Sequence, residues 1–294
     1  MSTADRVRQL FPELVRDLAS LIRIPSVSAP GVVTDELLAA ADRTEELLRS
    51  AGVTTARLEL PGTAPIITGE IPAPPGAPTV LLYSHYDVVG AGDESLWDSP
   101  PFEPTERDGA IYGRGSGDTK SNILLHVGAL RAWGGRPPVG IKVLIEGHEE
   151  SGSGGLLAYP AQDPELFRAD ALVIADAGSV APGIPTITTA LRGVANLTVE
   201  LRTLESGQHS GLFGGAAPDA LLALIRALGT LHDEHGDVAV EGLRREPWPG
   251  EGMPEETFRE LGTIRDGLPL LGTGDLGQRL WSGPAITVIG LDAP

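Results

Sequence analysis

Leu10, Leu14, Leu18 and Leu21 recur at helical spacing with arginine and aspartate between them. That stripe predicts an amphipathic helix at the start of the chain, not the unbroken apolar core of a secretion signal. A second helix is expected from Thr34 to Ser50, where Leu37, Leu38, Ala41, Leu47 and Leu48 share one face and Gly52 stands where a helix C-terminus favours glycine. Two strand-like runs follow, Thr55 to Leu60 and Ile66 to Ile71, and a proline-rich hinge, PAPPGAP at 72–78, leads into the apolar run Val80 to Tyr83. A third helix is predicted from about Thr119 to Trp133. VGIKVLIEG and ADALVIADAG read as two more buried strands, separated by a glycine-rich turn and a short helix.

Helices alternating with such strands predict an α/β sheet, at least partly parallel, over residues 1 to about 185. From about residue 190 the pattern changes. LRGVANLTVELRT alternates like a half-exposed strand, a glycine-rich loop and a helix from Pro218 to His232 follow, and the rest is loop-rich until ITVIGL. This second stretch reads as a smaller α+β unit.

The 294 residues include 22 Lys and Arg against 40 Asp and Glu, a formal net charge of −18. Nucleic-acid binding needs clustered cations that release counterions, so scattered basic residues among twice as many acids argue against it. The same sign of charge argues against an anionic membrane surface, and no apolar run reaches the ~18–20 residues of a membrane span. A soluble, cytoplasmic chain of two domains is expected. With no cysteine, disulfides, thiolate metal sites and thiol nucleophiles are excluded.

In an open α/β sheet the ligand site lies beyond the carboxyl ends of the strands. There the predicted strands and loops deliver His85 and Asp87, then Asp118, then Glu149 and Glu150, and finally Asp176. Several carboxylates and one imidazole converging in a partly desolvated place are costly unless a cation joins them. Nitrogen and carboxylate donors without sulfur suit zinc, manganese or cobalt. Strand periodicity puts His85 and Asp87 on one side, so Asp87 is placed to orient the imidazole. Each residue alone has a plainer reading: Asp118 as a helix cap, Glu149 and Glu150 as a solvated pair, His85 and Asp176 as strand-end residues. Their joint placement favours the metal reading.

Other motifs do not hold. GRGSGDTKS lacks the glycine that must precede the lysine of a phosphate-binding loop, and no G-x-S-x-G nucleophile elbow occurs. His126 falls on the apolar side of the third helix and reads as a core histidine. His232 and His235 are expected to close a helix, where positive charge suits the dipole.

LLYSHYDVV, WDSPPFEPTERDGAIYGRGSGDTKSN, IEGHEESGSGG, VIADAG and LRGVANLTVELRTLESGQHSGLFGG together resemble one di-zinc metallopeptidase family. That family, numbered twenty, contains carnosine-type dipeptidases, glutamate carboxypeptidase, aminoacylase, acetylornithine deacetylase and succinyl-diaminopimelate desuccinylase. GRGSGDTK and QHSGLFGG look closest to its carnosinase-like branch. The resemblance implies a catalytic domain over residues 1–187, with a twisted, largely parallel mixed sheet between helices, and an incomplete α+β lid or dimerisation domain over 188–294. It implies two Zn2+, with Mn2+ or Co2+ as alternatives. His85 and Asp176 would ligate one metal, Asp118 would bridge both, and Glu150 would ligate the other. Asp87 would orient His85, Glu149 would be the general base acting on the water between the metals, and His209 would stabilise the oxyanion in a neighbouring subunit's site. Arg192 matches a motif arginine of unassigned role.

Members of the family carry a late histidine that completes the second metal site, and none of the six histidines here fills that place. The expectation is therefore a truncated chain with a weakened second site and an incomplete dimer surface. The function expected by resemblance is hydrolysis of a dipeptide or C-terminal peptide amide, in a homodimer. The alternatives are an N-acyl-amino-acid deacylase using the same site, or an inactive fragment that serves only as a binding or dimerisation partner.

Overall fold

The computed structural model describes residues 2–179, 184, 186–188 and 191–292. It divides into two compact units, residues 1–186 and 187–294.

In the first unit, α1 (Thr3–Ile22) starts at a Ser2 cap, whose hydroxyl accepts the Asp5 N–H while Asp5 returns the bond to the Ser2 N–H. α2 (Asp35–Ser50) starts at Thr34, whose hydroxyl accepts the Leu37 N–H. The strands β1 (Thr54–Leu58), β2 (Ile66–Ile71) and β3 (Thr79–His85) follow, then a small hairpin of β4 (Thr105–Arg107) and β5 (Ala110–Tyr112). Beyond it lie α3 (Lys120–Ala132), β6 (Gly140–Glu146), the short helix α4 (Pro164–Phe167) and β7 (Ala171–Ile174). The five-stranded sheet has the order β1-β2-β6-β3-β7; β3 runs parallel to β6 and β7, while β2 is antiparallel to β1 and β6.

Strand alternation sorts the core into two layers. Leu82 of β3, with Ile141, Val143 and Ile145 of β6, packs under Leu14 and Leu21 of α1, Leu37 and Leu48 of α2, and Ile123 and Val127 of α3. Leu81 and Leu144 face the other way, against Ile66, Leu156, Tyr159 and Phe167. The parallel strands β3, β6 and β7 thus end on the same edge, and the chain segments beyond that edge carry the chemistry.

The sequence expectations for the helices and strands of this unit are met within a residue or two at most ends. β7 differs in character: it reads as a buried strand, yet all four of its residues are exposed, and among the described residues it has a strand neighbour, β3, on one side only. Asp118 is not the helix cap; Thr119 occupies that place without a capping side-chain bond. His126 is buried, its Nε2 3.0 Å from the Tyr83 carbonyl, as a core histidine should be.

The second unit contains α5 (Ser210–Phe213), α6 (Ala220–Gly229) and α7 (Glu255–Leu261). α6 begins at Asp219, whose carboxylate accepts the Leu222 N–H, and ends three residues short of His232. His232 and His235 therefore do not close this helix; His232 sits in an isolated antiparallel bridge with Val238. The run LRGVANLTVELRT forms no strand, and Leu191, Val194 and Leu197 are exposed. Its alternation records two faces, but among the described residues no ladder partner lies beside it. Among those residues no helix is long and apolar enough to cross a membrane.

Candidate metal centre

His85 closes β3 and is fully buried. Its Nδ1 lies 3.1 Å from the Asp87 carbonyl oxygen and 3.3 Å from Asp87 Oδ1, so that nitrogen carries the hydrogen. The opposite nitrogen, Nε2, is buried without a hydrogen-bond partner. Around it stand Asp118 Oδ1 at 3.3 Å, Asp176 Oδ1 at 3.6 Å and Glu149 Oε2 at 4.0 Å. A buried, unpartnered imidazole nitrogen aimed into a ring of carboxylate oxygens is the arrangement that a divalent cation completes.

Each donor is brought in by a different segment. Asp118 ends the loop before α3, joined to Thr119 by a cis peptide bond. Glu149 and Glu150 lie in a single 3-10 turn just after β6. Asp176 lies two residues past β7, close to the Thr119 hydroxyl that donates to the Ala175 carbonyl at 3.3 Å. Ligand atoms of His85, Asp118 and Asp176 all fall within 4.8 Å of one another, the one such group of three among the described residues. Glu150 is not in that group. Its backbone N–H, like that of Glu149, is held by Asp87, and its side chain feels the charge of Asp118.

Asp87 lies beneath the centre and is itself fully buried. Burial opposes its ionisation, but the His85 ring, the Ser28 hydroxyl at 2.6 Å and the Glu150 N–H hold the carboxyl below its ordinary range. The carboxylates facing the open side respond in the opposite direction. Burial raises Glu149, Glu150 and Asp176, and their mutual repulsion adds to it. On His85, burial disfavours the charged ring, yet Asp87, Asp176 and Glu149 lift it to about 9. The site therefore favours positive charge at the place where Nε2 points.

Several residues that the sequence reading passed over support this centre. His148 is buried, with Nδ1 accepting the Ala64 N–H at 3.0 Å and Nε2 set 3.0 Å from the Val32 carbonyl. Lys120 is buried with its amine on the carbonyls of Leu21 and Ile24, at 2.8 and 2.7 Å. Glu146 accepts the Tyr83 hydroxyl at 2.6 Å. The one sequence signal for them is their position inside the motifs that supply the site.

His209, from the second unit, caps α5 as an exposed residue, and its Nδ1 accepts the Gly211 N–H at 3.0 Å. Arg192 reaches the Gly283 carbonyl at 3.5 Å.

The chain is similar to known dipeptidases and carboxypeptidases. Over 220 residues the chain is 49% identical to a cysteinylglycine-S-conjugate dipeptidase of Corynebacterium striatum, covering 73% of this chain and 48% of that protein. It is 31% identical over 243 residues to a mouse Beta-Ala-His dipeptidase, covering 78% of this chain and 49% of the relative. The chain thus spans about half the length of the curated relatives it matches. Human carnosine dipeptidase 1 superimposes with a TM-score of 0.75 at 26% identity, over 99% of this chain and 68% of that one. The M20 metallo-carboxypeptidase Sso-CP2 of Sulfolobus solfataricus does so with 0.68 at 26% identity, over 88% and 61%. The family described as Peptidase family M20/M25/M40 matches residues 81–251, a stretch that runs from the strand ending in His85 through Asp118, Glu149, Glu150 and Asp176 to His209. With 49% identity to one relative across 73% of its residues and the family match spanning residues 81–251, more than half of its length, the chain belongs to peptidase family M20/M25/M40.

Proposed function

We propose that this chain carries a metal-dependent dipeptidase site in which His85, Asp118 and Asp176 hold one divalent ion and Asp118 with Glu150 contributes to a second. The observation that carries the proposal is the buried, unpartnered Nε2 of His85 facing three carboxylates. Zinc is the first choice, with manganese or cobalt also suited to these donors. When bound, such ions supply a water that ionises near neutral pH and a Lewis acid for the scissile carbonyl.

The chain's own groups do the rest. Asp87 fixes the His85 ring with its hydrogen on Nδ1, leaving Nε2 as the donor to the ion. Glu149, half-buried at the rim of the centre, takes a proton from the attacking water and delivers it to the leaving amine. In His209 the Nδ1 is engaged as an acceptor, so the hydrogen of the neutral ring is on Nε2. That exposed N–H serves as oxyanion donor to a neighbouring subunit in a homodimer.

The substrate class is a dipeptide such as Cys-Gly, its S-conjugates or β-Ala-His, supported by the chain's similarity to dipeptidases acting on these. The test is metal content after zinc reconstitution and desalting, followed by hydrolysis assays on Cys-Gly, β-Ala-His and N-acetyl amino acids. Bound zinc with dipeptide cleavage is the expected outcome. Cleavage confined to N-acetyl amino acids would make the chain a deacylase. Failure to retain any metal would overturn the metal assignment.

A further inference from the structure

The segment that carries Glu149 and Glu150 closes on an unusual turn. Gly152, Ser153 and Gly154 have φ values of 95°, 56° and 47°, three consecutive left-handed residues. Glycine takes such a conformation freely, whereas a residue with a Cβ resists it. Serine nevertheless occupies the middle position, and its side chain is engaged. The Ser153 hydroxyl donates to Glu146 Oε1 at 3.1 Å, while the Ser153 N–H donates to the His148 carbonyl at 2.6 Å.

Glu146 is the last residue of β6, beside His85 in the parallel register, and is only 2% exposed. The same Oε1 accepts the Tyr83 hydroxyl at 2.6 Å. A buried carboxylate outside the metal-facing group must be satisfied by fixed donors, and these two come from β3 and from the turn. Glu146 thus joins the rigid sheet to the one left-handed residue of the turn that has a side chain.

We propose that Glu146 is a positioning residue that acts through Ser153: its buried carboxylate holds the 152–154 turn in its left-handed form and so fixes where Glu149 and Glu150 stand. The consequence for metal binding rests on the function proposed above; the consequence for the turn does not. Asp87 holds the start of the segment through the N–H groups of Glu149 and Glu150, and Glu146 holds its end.

The test is amide hydrogen exchange of the metal-free chain over peptides spanning residues 147–155, with Co2+ titration as a second readout. Glu146→Ala and Ser153→Ala are expected to speed exchange there by about tenfold or more, and to weaken Co2+ binding by about tenfold, in line with supporting residues of metal sites. Glu146→Gln, whose side-chain carbonyl still accepts both hydroxyls, is expected to exchange like the parent. Ser153→Gly removes the backbone resistance along with the hydroxyl and is expected to loosen the turn as Ser153→Ala does. If Glu146→Ala fails to fold, Ser153→Ala decides, since it deletes one hydroxyl from a half-buried turn. Parent-like exchange in Ser153→Ala, or a Glu146→Gln chain as loose as Glu146→Ala, would overturn the proposal. A loosened turn in a chain whose parent binds no Co2+ would sustain the positioning role and overturn the metal reading instead.

Discussion

The carboxylate of Asp87 accepts the backbone N–H of Glu150 at 3.1 Å, and it does so with the same oxygen that takes the Ser28 hydroxyl. Its other oxygen meets the Glu149 N–H at 3.2 Å and the His85 ring at 3.3 Å. One buried aspartate therefore sets both the tautomer of the histidine after β3 and the height of the acidic turn after β6. Every group around it is a donor, so only an acceptor fits.

Asp87→Asn tests this directly. The amide turns one acceptor into a donor and sets an NH2 against an N–H, a ring N–H or a hydroxyl. Zinc affinity should fall by about 10–100-fold, the usual cost of losing the partner that orients a metal-bound histidine. Isothermal titration with Zn2+ measures it, and an unchanged affinity would remove Asp87 from its supporting role.

Glu149→Gln separates proton transfer from metal binding. Glu149 Oε2 is 4.0 Å from His85 Nε2, farther than the oxygens of Asp118 and Asp176. Metal content should therefore stay at the parent level while kcat for dipeptide hydrolysis drops by about 10²–10⁴-fold, the range that a lost general base costs. Retained turnover would assign the base elsewhere; loss of metal would make Glu149 a ligand.

The ion cluster at Glu45 should leave its mark on acid stability. Burial pushes this carboxyl up, but the hydrogen bond from Arg57, the Thr55 hydroxyl and the charges of Arg57 and Arg49 outweigh it, so the net shift is down. Arg57 lies at 2.8 Å and Arg49 at 2.5 Å. A carboxyl lowered in the folded state adds stability that is complete above its unfolded value near 4.5 and fades as the pH falls through the folded value. Glu45→Gln should thus lower the urea midpoint at pH 7, and the gap from the parent should narrow as the pH drops below about 4.5. A gap that stays constant down to pH 3 would mean that the charge contributes nothing.

What the sequence disclosed about the site depended on where each partner comes from. His85, Glu149 and Asp176 are legible because the parallel strands β3, β6 and β7 end on one edge, so residues just past those ends converge. Asp118 comes instead from the loop before α3, and Glu150 stays outside the group of three. Asp87 is legible through the two-residue period of a strand. His148 and Lys120 are not, since their partners are backbone groups of Ala64 and Leu21, 84 and 99 residues away, and no side-chain pattern encodes a carbonyl or an N–H. The same limit explains LRGVANLTVELRT: alternation specifies two faces, whereas a strand also needs a neighbour to take its hydrogen bonds.

Lys120 offers a test of how the loop that carries Asp118 is tied to the rest of the fold. Its amine donates to the carbonyls of Leu21, in the last turn of α1, and Ile24, just past its end, each of which also accepts one backbone N–H. Its stem packs against Gly115, a left-handed residue where a Cβ would crowd the lysine methylenes. Two residues before it stands Asp118, so the same anchor holds the start of α3 and the loop that presents that carboxylate. Lys120→Met keeps the bulk and removes the two bonds from the amine, while each carbonyl keeps a backbone donor, from Ile24 N–H and Ser26 N–H, so the loss should be about 1–3 kcal/mol of stability. Urea unfolding of the metal-free chain reads that loss without any contribution from bound ions, and a midpoint equal to the parent's would show that water or a neighbouring donor replaces the amine.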